Sequence, residues 1–119
     1  MSPEFDLTID YVEFPATDVQ RAKVFYSAVF GWKFEDYGPD YVAFNDGRLT
    51  GGFYTKPDAE SGSPLVVIYA VDLEAVQQVV EANGGAVVKP TFSFPGGRRF
   101  HFKDPVGNVL AVWSDREPA

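Results

Sequence analysis

The residue types that carry acid–base and metal chemistry are scarce in this sequence. His101 is the single histidine among 119 residues, and there is no cysteine. A metal site built on thiolates, or on two or three imidazoles of one chain, therefore cannot form. Cysteine nucleophiles and disulfide bonds are excluded as well. Any chemistry is left to His101, to carboxylates such as Glu13, and to the tyrosines.

The charge balance narrows the class of partner. Seventeen Asp and Glu stand against ten Lys and Arg, which gives a formal net charge of -7. Because nucleic acid and anionic membranes attract clustered positive charge, we expect neither as a partner. The sequence has no apolar run of the roughly 18 residues that a membrane helix needs, and its N-terminus has no basic leader region. We therefore expect a soluble, cytoplasmic protein.

The first half of the chain predicts one helix among four strands. A strand over 7–14 ends at Pro15, and a helix over 17–30 starts with the capping-box spacing of Thr17 and Gln20. Gly31 is placed to end this helix. The apolar face expected to be buried consists of Val19, Ala22, Phe25, Tyr26, Val29 and Phe30. Strands follow over 33–37, 41–45 and 49–54.

The second half repeats this order after a linker over 56–64. Strands are predicted over 65–70, over 86–89 with an extension to Phe94 as the alternative, over 99–102 and over 109–113. A helix runs from Asp72 to about Asn83, and its predicted buried face is Leu73, Val76, Val79 and Val80. Asp72 lies 54 residues after Asp18, and Gly85 lies 54 residues after Gly31. We therefore predict one α+β domain over 1–119, made of two βαβββ modules at about 7–55 and 65–114.

Several motifs connect this pattern with a known family. They are the run from Ile9 to Asp18, the Phe30-Gly31-Trp32 triplet, and the Asp-Pro-x-Gly-Asn turn at 104–108. Over residues 7–114 the chain resembles the vicinal oxygen chelate superfamily. That group includes glyoxalase I, extradiol dioxygenases, fosfomycin-resistance proteins and bleomycin-binding proteins. The resemblance implies two tandem modules that form a curled eight-stranded mixed sheet around a cavity, and a homodimer.

The same resemblance implies where a metal would be held. Metal-dependent members take four ligands from the inner strands, two from each module. Counted from Asp18 and Asp104, two of these positions are Tyr11 and Ala111. The internal repeat maps Ala111 onto Gly52, and the remaining position falls on Leu65 or Val66. Side chains at three of the four positions have no donor atom, so we predict no metal and no cofactor. Metal-dependent isomerisation and dioxygenation are therefore disfavoured.

Strand alternation predicts which side chains line the cavity instead. In the strand over 99–102, Phe100 and Phe102 should face the helix, whereas Arg99 and His101 should face inward. Aromatic walls with a few polar groups are typical of small-molecule sites. The predicted lining is Tyr11, Glu13, Tyr41, Gly52, Tyr54, Arg99, His101, Ala111 and Trp113.

The roles of the charged residues stay open at this stage. His101 either contacts a ligand or transfers a proton, or it forms a hydrogen bond within a packed interior. Glu13 is either a catalytic base or the partner of Arg99 in a structural ion pair. A basic cluster of Arg98, Arg99, His101 and Lys103 either attracts an anion or is a solvated strand end.

Four functions fit these observations. We favour a metal-free module that binds an organic ligand in an aromatic cavity. The alternatives are a metal-free lyase, isomerase or dioxygenase-type enzyme with His101 and Glu13 as catalytic residues, an enzyme with an unrecognised divalent-metal site, and a structural or regulatory partner domain. Whether the chain is an enzyme is therefore left undecided by its sequence.

Overall fold

Two compact units make up the chain. The computed structural model describes residues 3–57, 63–105 and 108–118. The first unit comprises Tyr11–Leu65, and the second comprises Met1–Asp10 together with Val66–Ala119. The elements in chain order are a short 3-10 helix Pro3–Phe5, β1 Ile9–Ala16, α1 Val19–Phe30, β2 Lys33–Asp36, β3 Tyr41–Asn45, β4 Thr50–Thr55, β5 Leu65–Tyr69, α2 Leu73–Ala82, β6 Ala86–Phe94, β7 Gly97–Lys103 and β8 Val109–Ser114. Within the described ranges, eight strands and two α-helices in this order confirm the predicted α+β class and the tandem βαβββ pattern.

In the first unit the strand order is β2-β3-β4-β1. The pairing of β1 with β4 is parallel, and the other pairs are antiparallel. The register places Glu13 beside Gly52 on one side of β4 and Ala43 beside Gly52 on the other. Gly52 is therefore at the centre of this unit's sheet.

In the second unit the order β5-β8-β7-β6 repeats this arrangement. The pairing of β5 with β8 is parallel, and it places Val67 beside Ala111. On the other side of β8, His101 lies beside Ala111. Ala111 thus holds the position in this sheet that Gly52 holds in the first unit.

The second unit also takes in the stretch before β1. The backbone N–H of Leu7 donates to the carbonyl oxygen of Tyr69 at 2.8 Å, and the N–H of Tyr69 donates to that of Thr8 at 3.0 Å. The Asp6 carboxylate accepts from the backbone N–H of Val71 at 2.7 Å. This stretch is therefore held by residues more than 60 positions later in the chain.

The first helix and the first strand both begin two residues later than predicted. The N-cap of α1 is Asp18, whose carboxylate accepts from the N–H groups of Gln20 and Arg21 at 3.0 and 3.2 Å. The predicted capping box of Thr17 and Gln20 is therefore wrong. The strand predicted over 7–14 runs instead from Ile9 to Ala16, and Pro15 lies inside it beside Tyr54. The five residues 58–62 of the predicted linker, and Val106-Gly107 of the predicted turn, lie outside the described residues.

The core of the first unit forms where α1 meets the sheet. Its buried members are Val19, Val42, Phe44 and Phe53, with Tyr26 and Trp32 among the partly buried side chains packed against them. The predicted buried face of α1 is only partly correct, because Phe25, Val29 and Phe30 are more than half exposed. The sheet covers the stripe that contains Val19, Ala22 and Tyr26, which is narrower than the apolar face of the helix.

The core of the second unit forms between α2 and its sheet. Ala70, Leu73, Phe100 and Val112 are buried there, and Val76 and Val80 pack against them. Val79 was predicted to be buried with them, but it is 60% exposed. No helix in the described ranges is long and apolar enough to cross a membrane.

Candidate functional site

In both units the sheet face turned away from the helix carries the predicted site residues. Phe100 and Phe102 belong to the helix-side core of the second unit, so Arg99 and His101 lie on the opposite face, as predicted. In the first unit Val42 and Phe44 belong to the helix-side core, so Tyr41 lies on the opposite face of the sheet. The nine residues divide into Tyr11, Glu13, Tyr41, Gly52 and Tyr54 in the first unit and Arg99, His101, Ala111 and Trp113 in the second.

A chain of hydrogen bonds links three residues of the first unit. Glu13 is buried, with only 8% of the residue exposed. The Tyr41 hydroxyl donates to Glu13 Oε2 at 2.9 Å, and the hydroxyls of Tyr11 and Tyr41 are 2.5 Å apart. Because Tyr41 gives its single hydroxyl proton to Glu13, the proton shared by the two tyrosines comes from Tyr11. The direction of donation is therefore from Tyr11 to Tyr41 to Glu13.

Gly52 makes this arrangement possible. A Cβ atom at position 52 would lie less than 3.0 Å from the hydroxyl and two ring carbons of Tyr41, an approach that real Cβ atoms essentially never show. Burial, then the charge of Glu13 and the hydrogen bond with Tyr11, raise the pKa of Tyr41 far above its ordinary value. The Tyr41 phenol is therefore a hydrogen-bond donor at every physiological pH. Tyr54, two residues after Gly52 on the same face, is partly buried.

The second unit holds the single histidine of the sequence beside the Phe92 ring. Among the described residues, His101 Nε2 is buried and has no hydrogen-bond partner. The imidazole centroid is 5.9 Å from that of Phe92. Burial, and then the positive charges of Arg99 and Lys89, lower the pKa of His101 to about 4. At neutral pH the ring is therefore neutral, with one N–H and one lone pair.

Cations and aromatic rings surround this imidazole. Lys89 Nζ lies 4.4 Å from the centroid of the Phe92 ring. The guanidinium carbon of Arg99 lies 5.4 Å from the Phe92 centroid and 5.6 Å from that of Phe94. Both arrangements are cation–π contacts. We call the set Lys89, Phe92, Phe94, Arg99, His101 and Trp113 the cationic–aromatic patch.

Trp113 completes the patch and connects it with a carboxylate. Its indole centroid is 6.3 Å from that of Phe94 and 5.3 Å from that of Tyr69. The indole N–H donates to Asp10 Oδ2 at 2.9 Å. The Tyr69 hydroxyl donates in turn to Asp115 at 2.7 Å. The indole is therefore fixed in orientation, with its N–H already paired.

Sequence reasoning missed four residues around this patch. Phe92 and Phe94 belong to the strand that starts at Ala86, and the alternative extension of this strand to Phe94 is the one observed. Their alternation with Thr91 and Ser93 is the sequence pattern that could have added them to the predicted lining. Lys89 comes beside His101 because the register of β6 shifts on both sides of it. No sequence signal predicted the partnership of Asp10 with Trp113.

The predicted basic cluster is also different in the structure. Arg98 lies on the helix side, where its guanidinium donates to Glu74 at 2.6 and 3.2 Å. This contact lowers the pKa of Glu74 and raises that of Arg98. Lys103 is exposed near the end of β7. The prediction that Arg98 shares a cluster with Arg99 and His101 is therefore wrong, because adjacent residues of a strand point to opposite faces.

The donor atoms present do not fit a divalent metal at the implied positions. No group of three or more His, Cys, Asp or Glu side chains lies together within residues 3–57, 63–105 and 108–118. Gly52 and Ala111 have no donor atom, and the neighbour of Ala111 across the parallel pair is Val67. The Tyr11 hydroxyl is engaged with Tyr41. The side chains at these positions therefore do not fit a divalent-metal site.

Comparison with known proteins gives a consistent family signal. A family model described as the Glyoxalase/Bleomycin resistance protein/Dioxygenase superfamily matches residues 8–112. A CFP32 protein of Mycobacterium bovis, named as a candidate glyoxylase, is 30% identical over 117 residues, which cover 89% of this chain and 45% of that protein. The chain thus spans about half the length of this relative. A glyoxylase-like domain-containing protein of Didymella fabae is 33% identical over 119 residues, covering 87% of this chain and 91% of that protein.

Solved structures show the same fold at low identity. A Mn(II)-bound glyoxalase from Novosphingobium aromaticivorans superposes with a TM-score of 0.69 at 24% identity, over 93% of this chain and 42% of that one. Methylmalonyl-CoA epimerase from Mycobacterium tuberculosis superposes with a TM-score of 0.72 at 14% identity, over 100% of this chain and 93% of that one. Proteins with this fold therefore differ in the reactions named for them.

Proposed function

The chain belongs to the glyoxalase/bleomycin resistance protein/dioxygenase superfamily, and we propose that it binds an organic small molecule at the cationic–aromatic patch without a metal. The observation that carries this proposal is the buried His101 Nε2, which has no hydrogen-bond partner in the described part of the chain. A buried polar atom left without a partner costs about 1–3 kcal/mol. A ligand that supplies a hydrogen bond at this atom would recover that cost.

The surroundings of His101 support a ligand of organic character. Small-molecule sites are lined mainly by apolar and aromatic side chains with a few polar groups that fix orientation. Here the aromatic side chains are Phe92, Phe94 and Trp113. The polar groups are His101 and the two neighbouring cations. The lining predicted from strand alternation is extended here by Phe92, Phe94 and Lys89.

The chemistry of the implied metal positions supports binding without a metal. Glycine, alanine and valine offer no ligand atom at or beside them. In the first unit the space above Gly52 is taken by the Tyr41 hydroxyl, which is bonded to Glu13. We propose that phenol and carboxylate groups here serve hydrogen bonding rather than metal coordination.

A metal-free enzyme is the second candidate, and the Tyr11–Tyr41–Glu13 hydrogen bonds favour it. A buried carboxylate that accepts from a phenol is a reasonable proton acceptor. His101 is a poor proton donor at neutral pH, because its lowered pKa leaves the ring neutral. If the protein is an enzyme, Glu13 rather than His101 is the stronger candidate for the catalytic group. Turnover that survives Glu13→Gln unchanged would remove this candidate.

Ligand binding is tested by thermal shift and native mass spectrometry with a broad panel of metabolites and antibiotics. The protein is first dialysed against a chelator, so that binding without metal is measured directly. Phe92→Ala should remove the shift produced by a ligand, whereas Val88→Ala, an exposed position on the same strand, should leave it intact. Absence of any adduct or shift, or binding restored only by added metal, would contradict the proposal.

The oligomeric state is proposed from the family resemblance, and the location and the excluded partners are proposed from the charge and apolar pattern of the sequence. We propose a homodimer and a cytoplasmic location, with no nucleic acid or membrane partner. Sedimentation equilibrium at micromolar concentration tests the dimer, and a monomer mass would refute it. Fractionation of cells that express the untagged protein tests the location, and recovery from the membrane pellet would refute it.

A further inference from the structure

The cationic–aromatic patch points to one class of ligand. We propose that it selects planar, negatively charged molecules, of which aromatic and conjugated carboxylates are the simplest. This inference rests on the proposed binding function and names the ligand class for the patch in the second unit. Its evidence consists of the local charge, the arrangement of the rings and the state of His101.

The charge of the patch is opposite to that of the whole chain. The formal net charge is -7, yet two cations, Lys89 and Arg99, lie against the rings beside His101. Asp10 is a carboxylate at the edge of this patch, and it accepts the indole N–H of Trp113. Because the rest of the protein repels anions, a local excess of positive charge makes this place distinctive.

Lys89 is able to change partners at little cost. Its side chain is exposed, and Lys89 Nζ makes a cation–π contact with the Phe92 ring. Such contacts are weak at exposed sites. A carboxylate that arrives over the Phe92 ring would therefore take Lys89 as its ion-pair partner and open a path toward the imidazole. Arg99 adds a second positive charge beside the Phe92 ring, and its guanidinium has five N–H donors, so it can hold more than one partner.

The rings favour a flat ligand. The centroids of Phe92 and Phe94 are 6.5 Å apart, and the Trp113 indole lies 6.3 Å from Phe94. Aromatic pairs prefer offset stacking or edge-to-face contacts at such separations. A conjugated ligand can stack here while its charged end faces Lys89 and His101. A compact inorganic anion would gain the charge contact but none of the stacking.

His101 adds a selective hydrogen bond. When the neutral ring carries its proton on Nε2, that atom donates to a carboxylate oxygen, and a bound anion further favours the doubly protonated ring. An ammonium ligand would place a third cation beside Lys89 and Arg99. A neutral amide would meet no such repulsion but would lack the ion pair. The expected order of affinity is carboxylate, then amide, then amine.

The test uses three probes with one ring system: 2-naphthoate, 2-naphthamide and 2-naphthylmethylamine. Two-dimensional NMR follows the single histidine and the indole signals of the two tryptophans, Trp32 and Trp113. Trp32 belongs to the helix-side core of the first unit and is an internal reference. We expect naphthoate to shift His101 and Trp113 but not Trp32, to bind at least about tenfold more tightly than the other two probes, and to raise the pKa of His101.

Two variants test whether the charge of Lys89, rather than the folding of the patch, determines the affinity for naphthoate. Lys89→Met should weaken naphthoate binding by about fivefold, the value of one exposed ion pair, and should leave naphthamide binding unchanged. Lys33→Met, at an exposed position of the first unit, is the matched control and should bind naphthoate like the parent protein. Unchanged amide binding by Lys89→Met shows that the patch is still folded.

Each contrary result has one meaning. Amide or amine binding as tight as naphthoate binding refutes the ligand class, while ligand binding itself stands. Equal shifts of Trp32 and Trp113 refute the patch as the site. If no naphthalene probe moves His101 but the metabolite panel yields a ligand, the inference fails and the proposed function survives. If the panel is also silent, both fail.

Discussion

Replacing Gly52 with alanine tests how the first unit holds the Tyr41 hydroxyl. From backbone preference alone, alanine should be better than glycine inside a strand by about 0.5–1 kcal/mol. The structure predicts the opposite sign. The added Cβ would lie less than 3.0 Å from three atoms of Tyr41, so the phenol would have to move. Glu13 would then lose the donor that lies 2.9 Å from its carboxylate.

The magnitude follows from two losses. A hydrogen bond to a charged, buried group contributes about 1.5–3 kcal/mol, and forced repacking of a filled site costs about 1–3 kcal/mol. After the backbone gain is allowed for, the free energy of unfolding should fall by about 2–5 kcal/mol. For a chain of this length that corresponds to a melting temperature lower by roughly 10 °C or more.

Urea unfolding followed by far-UV circular dichroism measures this change in a double-mutant cycle. The four proteins are the parent, Gly52→Ala, Tyr41→Ala and the double variant. Without the Tyr41 ring the three atoms nearest to the new methyl group are removed, so Gly52→Ala should then be neutral or slightly stabilising. The reasoning is refuted if Gly52→Ala stays within about 0.5 kcal/mol of the parent, or if it costs the same in both backgrounds.

Three further predictions concern single groups. Tyr41→Phe keeps the ring but removes the proton given to Glu13, so urea unfolding should show a loss of about 1.5–3 kcal/mol; an equal effect of Tyr54→Phe would contradict this. Burial lowers the pKa of His101 to about 4 in the folded chain, against about 6.5 in the unfolded chain. Between these pH values the unfolded chain binds a proton that the folded chain does not, so the free energy of unfolding falls as the pH drops from about 6.5 to about 4. His101→Gln should flatten that dependence, and identical pH profiles would argue against it. Asp18→Ala should cost about 1 kcal/mol through loss of the N-cap, whereas Thr17→Ala should cost little; thermal unfolding that ranks them the other way would restore the capping box.

Much of the fold was predictable because it depends on local patterns. Strand alternation placed Phe100 toward the helix and His101 on the other face, since a strand has only two faces to offer. Gly31 ends α1 with a positive φ of 72°, as its position suggested. The duplicated spacing predicted that Gly52 and Ala111 hold equivalent positions, and the registers of the two sheets agree.

The features that could not be predicted from the sequence depend on contacts between distant elements rather than on local residue patterns. Lys89 is next to His101 only because β6 has irregular register on both sides of it, and such bulges leave no clear sequence mark. Phe25 and Val29 have the right spacing for burial, but the width of the sheet decides how much of a helix is covered. Pro15 is compatible with β1 at its position, although proline usually ends a strand. The hydrogen bond of Asp10 with Trp113 joins residues 103 positions apart.

The stretch before β1 has a consequence for the order of events during synthesis. Leu7 and Thr8 hydrogen-bond with Tyr69, and Asp6 bonds with Val71, so these residues leave the ribosome long before their partners do. At about 5–20 residues per second the delay amounts to several seconds, during which the first unit is made in full. The second unit is thus completed by a segment that is synthesised before the first unit. A truncation or bulky insertion at this stretch should therefore disturb the unit that is translated later, and should affect the first unit less, although the first unit directly follows the stretch in the sequence.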